Sequence, residues 1–331
     1  MINKKSFINR TIIGFFIFLG MAAIVLLNVM LPNFGNENFV SGRGINSAII
    51  SVLILLAVVE MRRAFGVERI PHCFSWLLWL YGIGLGPSYS FFGFNGIVFF
   101  TLIVFICAVV TALIKNRADS LVYIASVLVY PGLIMSSLLY INRCATTQVV
   151  TNEQMLQYVS YDIWQHVSPM RFQYLLPFNA ILLSFVFAVS CFTDIFAYLV
   201  GSLFGKHKLC PQISPKKTVE GAIGGIVGGM LGSAMVYVLF DSPIKLFPDC
   251  FGLTFAGLEL STVNVVVTYI ALGLIGSLMT QLGDLLASMV KRYCCIKDYS
   301  RILGEHGGIM DRFDGIMLNA VFVASVSMFI V

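Results

Sequence analysis

Charged residues are scarce in this sequence, and their scarcity excludes an ordinary soluble protein. They make up 11% of the 331 residues, whereas 58% are hydrophobic. Soluble domains carry about a quarter charged residues, so this set is too small to cover a water-exposed surface. The same balance excludes a disordered chain, which combines low hydrophobicity with high charge. We therefore predict an all-α, polytopic integral membrane protein, and we take the net charge of +5 as a property of its loops, not as a sign of nucleic-acid binding.

Common metal, redox and nucleotide motifs are missing as well. The eight cysteines form no CxxC pair and no zinc-like spacing. Neither Gly205-Lys206 nor Lys216-Lys217 completes the GxxxxGK[ST] loop that cradles phosphates in P-loop proteins. There is also no heptad pattern, low-complexity tract or obvious internal repeat. The few charged residues are therefore the place to look for chemistry.

Long apolar runs, by contrast, are abundant. An apolar helix of about 20 residues crosses the hydrocarbon core of a bilayer, and dividing the chain at its charged residues predicts nine spans. Gly86, Pro87 and Gly93 supply the turn between the third and fourth spans. The predicted spans are Thr11–Leu31, Asn46–Val59, Cys73–Ser90, Ile97–Ile114, Ser120–Ile141, Phe172–Thr193, Gly221–Phe240, Thr262–Gly283 and Gly315–Val331.

The distribution of basic residues predicts the orientation of these spans. Nine alternating spans place 17 of the 21 Lys and Arg residues on one side of the membrane. Because Lys and Arg concentrate in cytoplasmic loops, we expect a cytoplasmic N-terminus and a C-terminus on the other side. The first span is longer than the core of a secretory signal and is interpreted as an uncleaved helix.

The same division predicts three regions. Residues 1–141 form N-terminal transmembrane helices, residues 142–171 form a non-cytoplasmic loop, and residues 172–331 form a C-terminal region. Two cytoplasmic loops of that last region, 206–220 and 284–314, hold nearly half of all Lys and Arg. We therefore expect the active site in these two loops.

The loop 284–314 has acids and bases at a spacing that suits a metal and a phosphate. If the eighth span continues as a helix, Asp284, Lys291 and Arg292 share one face. Asp311 and Asp314, three residues apart, can also point the same way. Carboxylates without His or Cys favour Mg²⁺, which in turn meets phosphate oxygens. The alternative is a loop whose charges pair with one another and with lipid headgroups.

The loop 206–220 reads as the start of a helix beside basic residues. Ser214 and Thr218 are of the type that caps a helix N-terminus, and Lys216 and Lys217 beside that terminus can bind an anion. A capped helix with solvated lysines is the alternative.

Asp194 is the one formal charge between Phe172 and Gly205. A span that begins near Phe172 should leave the membrane close to this residue. Asp194 and Tyr198 fall on one helix face with Gly201 and Gly205. A carboxylate at a membrane boundary is a candidate functional group, and a snorkelling or lysine-paired residue is the alternative.

Three ordered segments resemble those of the phosphatidate cytidylyltransferase (CDP-diacylglycerol synthase) family. They are residues 283–314, with Ser288-Met-Val-Lys291-Arg292 and His306-Gly307-Gly308-Ile-Met-Asp311-Arg312-Phe-Asp314; residues 214–221, which read SPKKTVEG; and residues 194–206. The resemblance covers roughly the C-terminal 140 residues. One departure is Glu305, where the family usually has Gly. The resemblance implies the reaction of CTP with phosphatidic acid to give CDP-diacylglycerol and diphosphate, in a lipid bilayer.

The resemblance also implies roles for individual residues. Asp284, Asp311 and Asp314 correspond to the carboxylates that hold Mg²⁺, with K⁺ as a second ion. The catalytic set is completed by Lys297 and Asp298. The implied substrate-binding residues are Ser214, Lys216, Lys217, Lys291, Arg292, Arg312, Asp194, Tyr198 and His306, although the His is equally well explained as structural. A homodimer and a bacterial inner (plasma) membrane with the active site facing the cytoplasm complete the expectation.

Two other functions share some of these sequence features. A CDP-alcohol phosphatidyltransferase needs a DxxDGxxAR motif, which Asp311 to Gly315 opens, but Leu318-Asn319 replaces its Ala-Arg and no further Asp follows. A transporter would also be polytopic and Gly-rich. It would have ionisable residues near the middle of the membrane, whereas the acids here cluster at one boundary.

Overall fold

In the computed structural model, the described residues are 19–26 except 21, 42–144, 178–242, 262–304 and 307–330. Most of the first predicted span, most of the predicted loop 142–171 and most of residues 241–260 lie outside these ranges. A 3₁₀ turn, His72–Phe74, precedes the second helix. The helices and strands are α1 Gly42–Arg69, α2 Ser75–Lys115, α3 Ser120–Val127, a π-helix Leu128–Leu133, α4 Ile134–Arg143, α5 Phe178–Phe204, β1 Lys208–Cys210, β2 Ser214–Thr218, α6 Val219–Phe240, α7 Thr262–Tyr293 and α8 Met310–Ile330.

Within the described ranges, six helical segments are long and apolar enough to cross a membrane. They are Gly44–Arg69, His72–Lys115, Ser120–Arg143, Asn179–Phe204, Val219–Phe240 and Val263–Tyr293. The chain is thus an α-helical membrane protein, as its composition predicts. Nine spans and their orientation stay predictions.

The turn predicted between the third and fourth spans lies at Gly93. This residue has φ 62° and ψ −150°, a left-handed backbone that glycine adopts readily. The two arms of α2 then lie side by side, because the Tyr81 hydroxyl is 3.2 Å from Thr101 Oγ1 and its ring stacks on Phe100. Pro87 lies inside the first arm. The 44-residue apolar segment is therefore a helical hairpin.

The C-terminal helices pack through glycines on two faces of α6. A Cβ at Gly228 would overlap the Phe192 carbonyl oxygen of α5, and one at Gly229 would overlap the Ser277 side chain of α7. Small residues let helix backbones approach closely in membranes. Helix α6 is therefore held tightly between α5 and α7.

A buried polar contact fixes α8 against the same group. The Asn319 amide donates to Val186 O and to Ser190 Oγ, both at 3.1 Å. Ser190 Oγ lies 3.2 Å from Thr280 Oγ1 of α7. Side-chain hydrogen bonds between helices add stability in an apolar surrounding, so α5, α7 and α8 form one unit.

The structure departs from the sequence-based expectation in the loop 206–220. Strands β1 and β2 pair antiparallel there, with Lys208 opposite Thr218 and Cys210 opposite Ser214. One small β-hairpin is thus added to a fold that is otherwise helical, as predicted. Helix α5 continues past Asp194 to Phe204, as the shared helix face of Asp194, Tyr198 and Gly201 requires. Helix α7 runs on past Gly283 to Tyr293, as the shared face of Asp284 and Lys291 requires.

Candidate active site

The β-hairpin brings a lysine to the carboxylate of Asp284. Lys217, the penultimate residue of β2, has its Nζ 2.5 Å from Asp284 Oδ2. The Thr218 hydroxyl caps α6 by accepting from Gly221 N at 3.1 Å, and Arg292 Nε of α7 donates to the Ile213 carbonyl in the hairpin turn at 3.1 Å. The predicted cap is therefore confirmed. It fixes the end of β2 and with it the position of Lys217.

Asp311 is the centre of a second cluster. Its Oδ1 lies 2.9 Å from Lys291 Nζ. Its Oδ2 accepts from Tyr299 N at 2.8 Å and from Gly308 N at 2.9 Å. Gly307, at φ 82°, leaves room for this carboxylate, since a Cβ there would lie 2.7 Å from Oδ2. Asp311 thus ties the loop before α8 to the end of α7.

Tyr299 anchors the same loop through its side chain. The ring is buried, and its hydroxyl donates to Ala287 O at 3.1 Å. Burial raises the pKa of the Tyr299 phenol well above its ordinary value. The phenol is therefore protonated at neutral pH and remains a donor, which keeps the Asp311 loop against α7.

Asp314 and Asp194 lie near Asp284. A Cβ at Gly283 would overlap the Asp314 carbonyl oxygen, so this glycine lets α7 and α8 approach and places their carboxylates close together. The charges of Asp284 and Asp314 act on each other. The charges of Asp284, Lys217 and Arg312 act on the carboxyl group of Asp194 of α5. Four acids and their basic partners thus share one region of the protein.

The donors of this region suit a hard cation. Asp284, Asp314 and Asp194 supply carboxylate oxygens, which Mg²⁺ prefers. Within the described ranges, no three His, Cys, Asp or Glu side chains meet closely enough to form a preformed metal site. Lys217 and Lys291 instead neutralise Asp284 and Asp311. Cation binding to these two carboxylates therefore requires each lysine to move aside.

One buried acid, Glu60 of α1, is not among the site residues that the sequence predicts. Its side chain is inaccessible to solvent and accepts three hydrogen bonds, from Ser300 Oγ at 2.5 Å, Ile309 N at 3.0 Å and Met310 N at 2.9 Å. A carboxylate is favourable at a helix N-terminus, and Glu60 occupies that of α8. The predicted second span ends at Val59, so Glu60 was treated as the charged residue that bounds it. An acid at the edge of an apolar run is the signal that could have identified it as a functional candidate.

The remaining predicted residues are less tightly placed. Exposed side chains include Lys216, Arg292, Lys297, Asp298, Arg312, Asp194 and Tyr198, and that of Ser214 is half-buried. His306 and the unusual Glu305 lie outside the described residues. Glu220, in the first turn of α6, accepts from Lys206 N at 3.1 Å and from His207 N at 3.2 Å. The structure therefore brings Lys217 and Lys291 together with Asp194, Asp284, Asp311 and Asp314, and most of the other predicted residues are exposed.

Comparison with known proteins agrees with the predicted resemblance. The relatives that carry the name phosphatidate cytidylyltransferase include two staphylococcal proteins. The one from Staphylococcus saprophyticus is 40% identical over 133 residues, which are 40% of this chain and 44% of that protein. The one from Staphylococcus aureus strain COL is 43% identical over 135 residues, with the same two shares. The matched part thus spans less than half the length of these relatives.

A family model covers far more of the chain than these pairwise matches. The model described as the cytidylyltransferase family matches residues 8–330. This range contains the Lys217–Asp284 pair, the Asp311 cluster and Glu60. From the agreement over nearly its whole length, the chain belongs to the cytidylyltransferase family.

Proposed function

We propose that this protein is a phosphatidate cytidylyltransferase, which converts CTP and phosphatidic acid to CDP-diacylglycerol and diphosphate. The observation that carries the proposal is the pairing of Lys217 with Asp284 and of Lys291 with Asp311 at 2.5 and 2.9 Å. These pairs join the hairpin, α7 and α8 into one site of alternating charge. The names of the staphylococcal relatives support the same reaction.

The proposed chemistry needs charge neutralisation more than a protein nucleophile. An ionised oxygen of the lipid phosphate attacks the α-phosphorus of CTP, and the bond from that phosphorus to the bridging oxygen breaks, releasing diphosphate. Lys217, Lys291 and Arg292 bind phosphate oxygens and stabilise the charge that develops on them. Lys216, Lys297 and Arg312 extend this basic surface. Asp298 orients a neighbouring lysine.

Asp284, Asp311 and Asp314 are the proposed carboxylates for Mg²⁺, with K⁺ as a second ion. A bound divalent cation neutralises phosphate oxygens and holds them in place. The chain's own contribution is an exchange of partners, in which Lys217 and Lys291 leave their carboxylates for phosphate oxygens.

We further propose the bacterial inner membrane as the location, with the active site on the cytoplasmic face. The asymmetric distribution of Lys and Arg supports this orientation. Asp194 and Tyr198 lie on one face of α5, where they would meet the lipid headgroup, and Ser214 and His306 belong to the substrate-binding set. A homodimer and nine spans complete the proposal.

The test is a reconstituted reaction. Purified protein in mixed micelles should release diphosphate from CTP only when phosphatidic acid and Mg²⁺ are both present. Folded protein that forms no CDP-diacylglycerol under these conditions would rule the reaction out. CMP release from CDP-diacylglycerol and an alcohol would instead support a CDP-alcohol phosphatidyltransferase.

A further inference from the structure

A break in the third helical segment sets Tyr130 apart from its neighbours. The α-helix gives way to a π-helix over Leu128–Leu133, where Tyr130 has the non-helical angles φ −123° and ψ 103°. The Tyr81 hydroxyl supports the break by donating to Leu128 O at 2.9 Å. Interruptions of this kind frequently occur at functional sites, because they turn a side chain away from its regular direction.

The Tyr130 hydroxyl is buried and has no partner. The residue is 7% exposed, and no hydrogen-bonding atom of the described residues reaches its hydroxyl. Buried hydroxyls in folded proteins almost always have a partner. The hydroxyl of Tyr81, which is also buried, has two partners. The Tyr130 hydroxyl therefore needs a partner that is not part of the described chain.

The surroundings of Tyr130 indicate what that partner is. The charges of Asp314, Asp284 and Asp311 all act on its phenol, and Tyr299 lies on the same side. The Tyr130 phenol thus lies within electrostatic range of the acid cluster, and it bonds to none of its carboxylates. A protonated phenol is a donor and a poor ligand for a hard cation, so an anionic oxygen held at this cluster is the best match.

We propose that the Tyr130 hydroxyl donates a hydrogen bond to a phosphate oxygen of the substrate bound at the carboxylate–lysine cluster. The inference rests on the proposed function and assigns a substrate contact to the N-terminal half of the chain. The phosphate belongs either to the nucleotide or to the lipid, since both carry the same chemistry. A hydrogen bond to an oxyanion contributes most when water is excluded, as it is around this residue.

The test compares Tyr130→Phe with Tyr269→Phe. Tyr269 is a buried tyrosine near the opposite end of α7, and its hydroxyl donates to Asp241 Oδ2 at 2.8 Å. We expect Tyr130→Phe to lower kcat/KM about 100-fold with an unchanged or higher Tm, because the ring stays packed and an unpaired hydroxyl is removed. Tyr269→Phe should lower Tm and keep the rate.

The KM values of Tyr130→Phe for CTP and for phosphatidic acid, measured separately, show which substrate carries the phosphate that Tyr130 contacts. A rise for CTP alone indicates the nucleotide, and a rise for phosphatidic acid alone indicates the lipid. Activity within twofold of wild type, or a loss of activity that follows a fall in Tm, would overturn the proposal.

If the wild-type protein makes no CDP-diacylglycerol, the proposed function fails. The contact is then tested by the binding of magnesium diphosphate, measured as a rise in Tm. Stabilisation of wild type but not of Tyr130→Phe by this probe would still support the contact, whereas equal stabilisation would refute it.

Discussion

Replacing Glu60 tests whether the N-terminal half of the chain positions the active site. The carboxylate accepts from Ile309 N and Met310 N, two backbone donors at the start of α8. Helix α8 carries Asp311 and Asp314 in its first turns. Loss of Glu60 should therefore disturb both carboxylates without touching a substrate contact.

The contacts of Glu60 set the expected size of the effect. A buried donor left without an acceptor costs about 1–3 kcal/mol. Glu60→Ala abandons two backbone N–H groups and should destabilise the protein by about 2–6 kcal/mol. Glu60→Gln keeps one acceptor oxygen but presents an NH₂ group to the other donor, so about 1–3 kcal/mol is expected.

The assay combines stability with cation dependence. We expect Glu60→Gln to lower Tm and to raise the Mg²⁺ concentration that gives half-maximal activity, while the KM for phosphatidic acid stays near wild type. Glu68→Gln is the matched control, because Glu68 lies near the end of α1, beyond the non-helical Gly66, with an exposed side chain. If Glu60→Gln has the Tm and Mg²⁺ dependence of the wild type, Glu60 does not position α8.

Two further predictions concern the paired carboxylates. Asp284→Asn removes the charge opposite Lys217 and should reduce CDP-diacylglycerol formation by on the order of 100-fold or more, with a normal elution profile in detergent. Asp311→Asn should abolish turnover and also lower Tm, since one amide oxygen cannot replace the two carboxylate oxygens that bind Lys291, Tyr299 N and Gly308 N. Near-wild-type turnover in either variant would move the cation site elsewhere.

Local features of the sequence predicted the local structure well. The Thr218 cap, the helical extension that carries Asp284 and Lys291, and the turn at Gly93 each follow from residue type or from short spacing. The hairpin was missed because its strands have three and five residues and lack an apolar alternation. Short, exposed strands leave almost no periodic signal.

Contacts between distant parts of the chain were not predictable in this way. Glu60 and Ser300 are separated by 240 positions, and Tyr130 reaches the acid cluster only through the packing of the helices. Periodicity identifies the face of a helix but not the neighbour that covers it. From the sequence, the N-terminal half is therefore predicted only as membrane-spanning helices. In the structure, two of its residues, Glu60 and Tyr130, lie at the candidate site.

The glycine faces of α6 have a consequence for how such a protein can vary. With backbone against backbone on both sides, even one extra methyl group at Gly228 or Gly229 would push a neighbouring helix outward. Because α6 begins directly after β2, such a displacement would also move the hairpin. It would separate Lys217 from Asp284 of α7. Variation at these two positions is therefore expected to reach the Lys217–Asp284 pair, although neither glycine touches it.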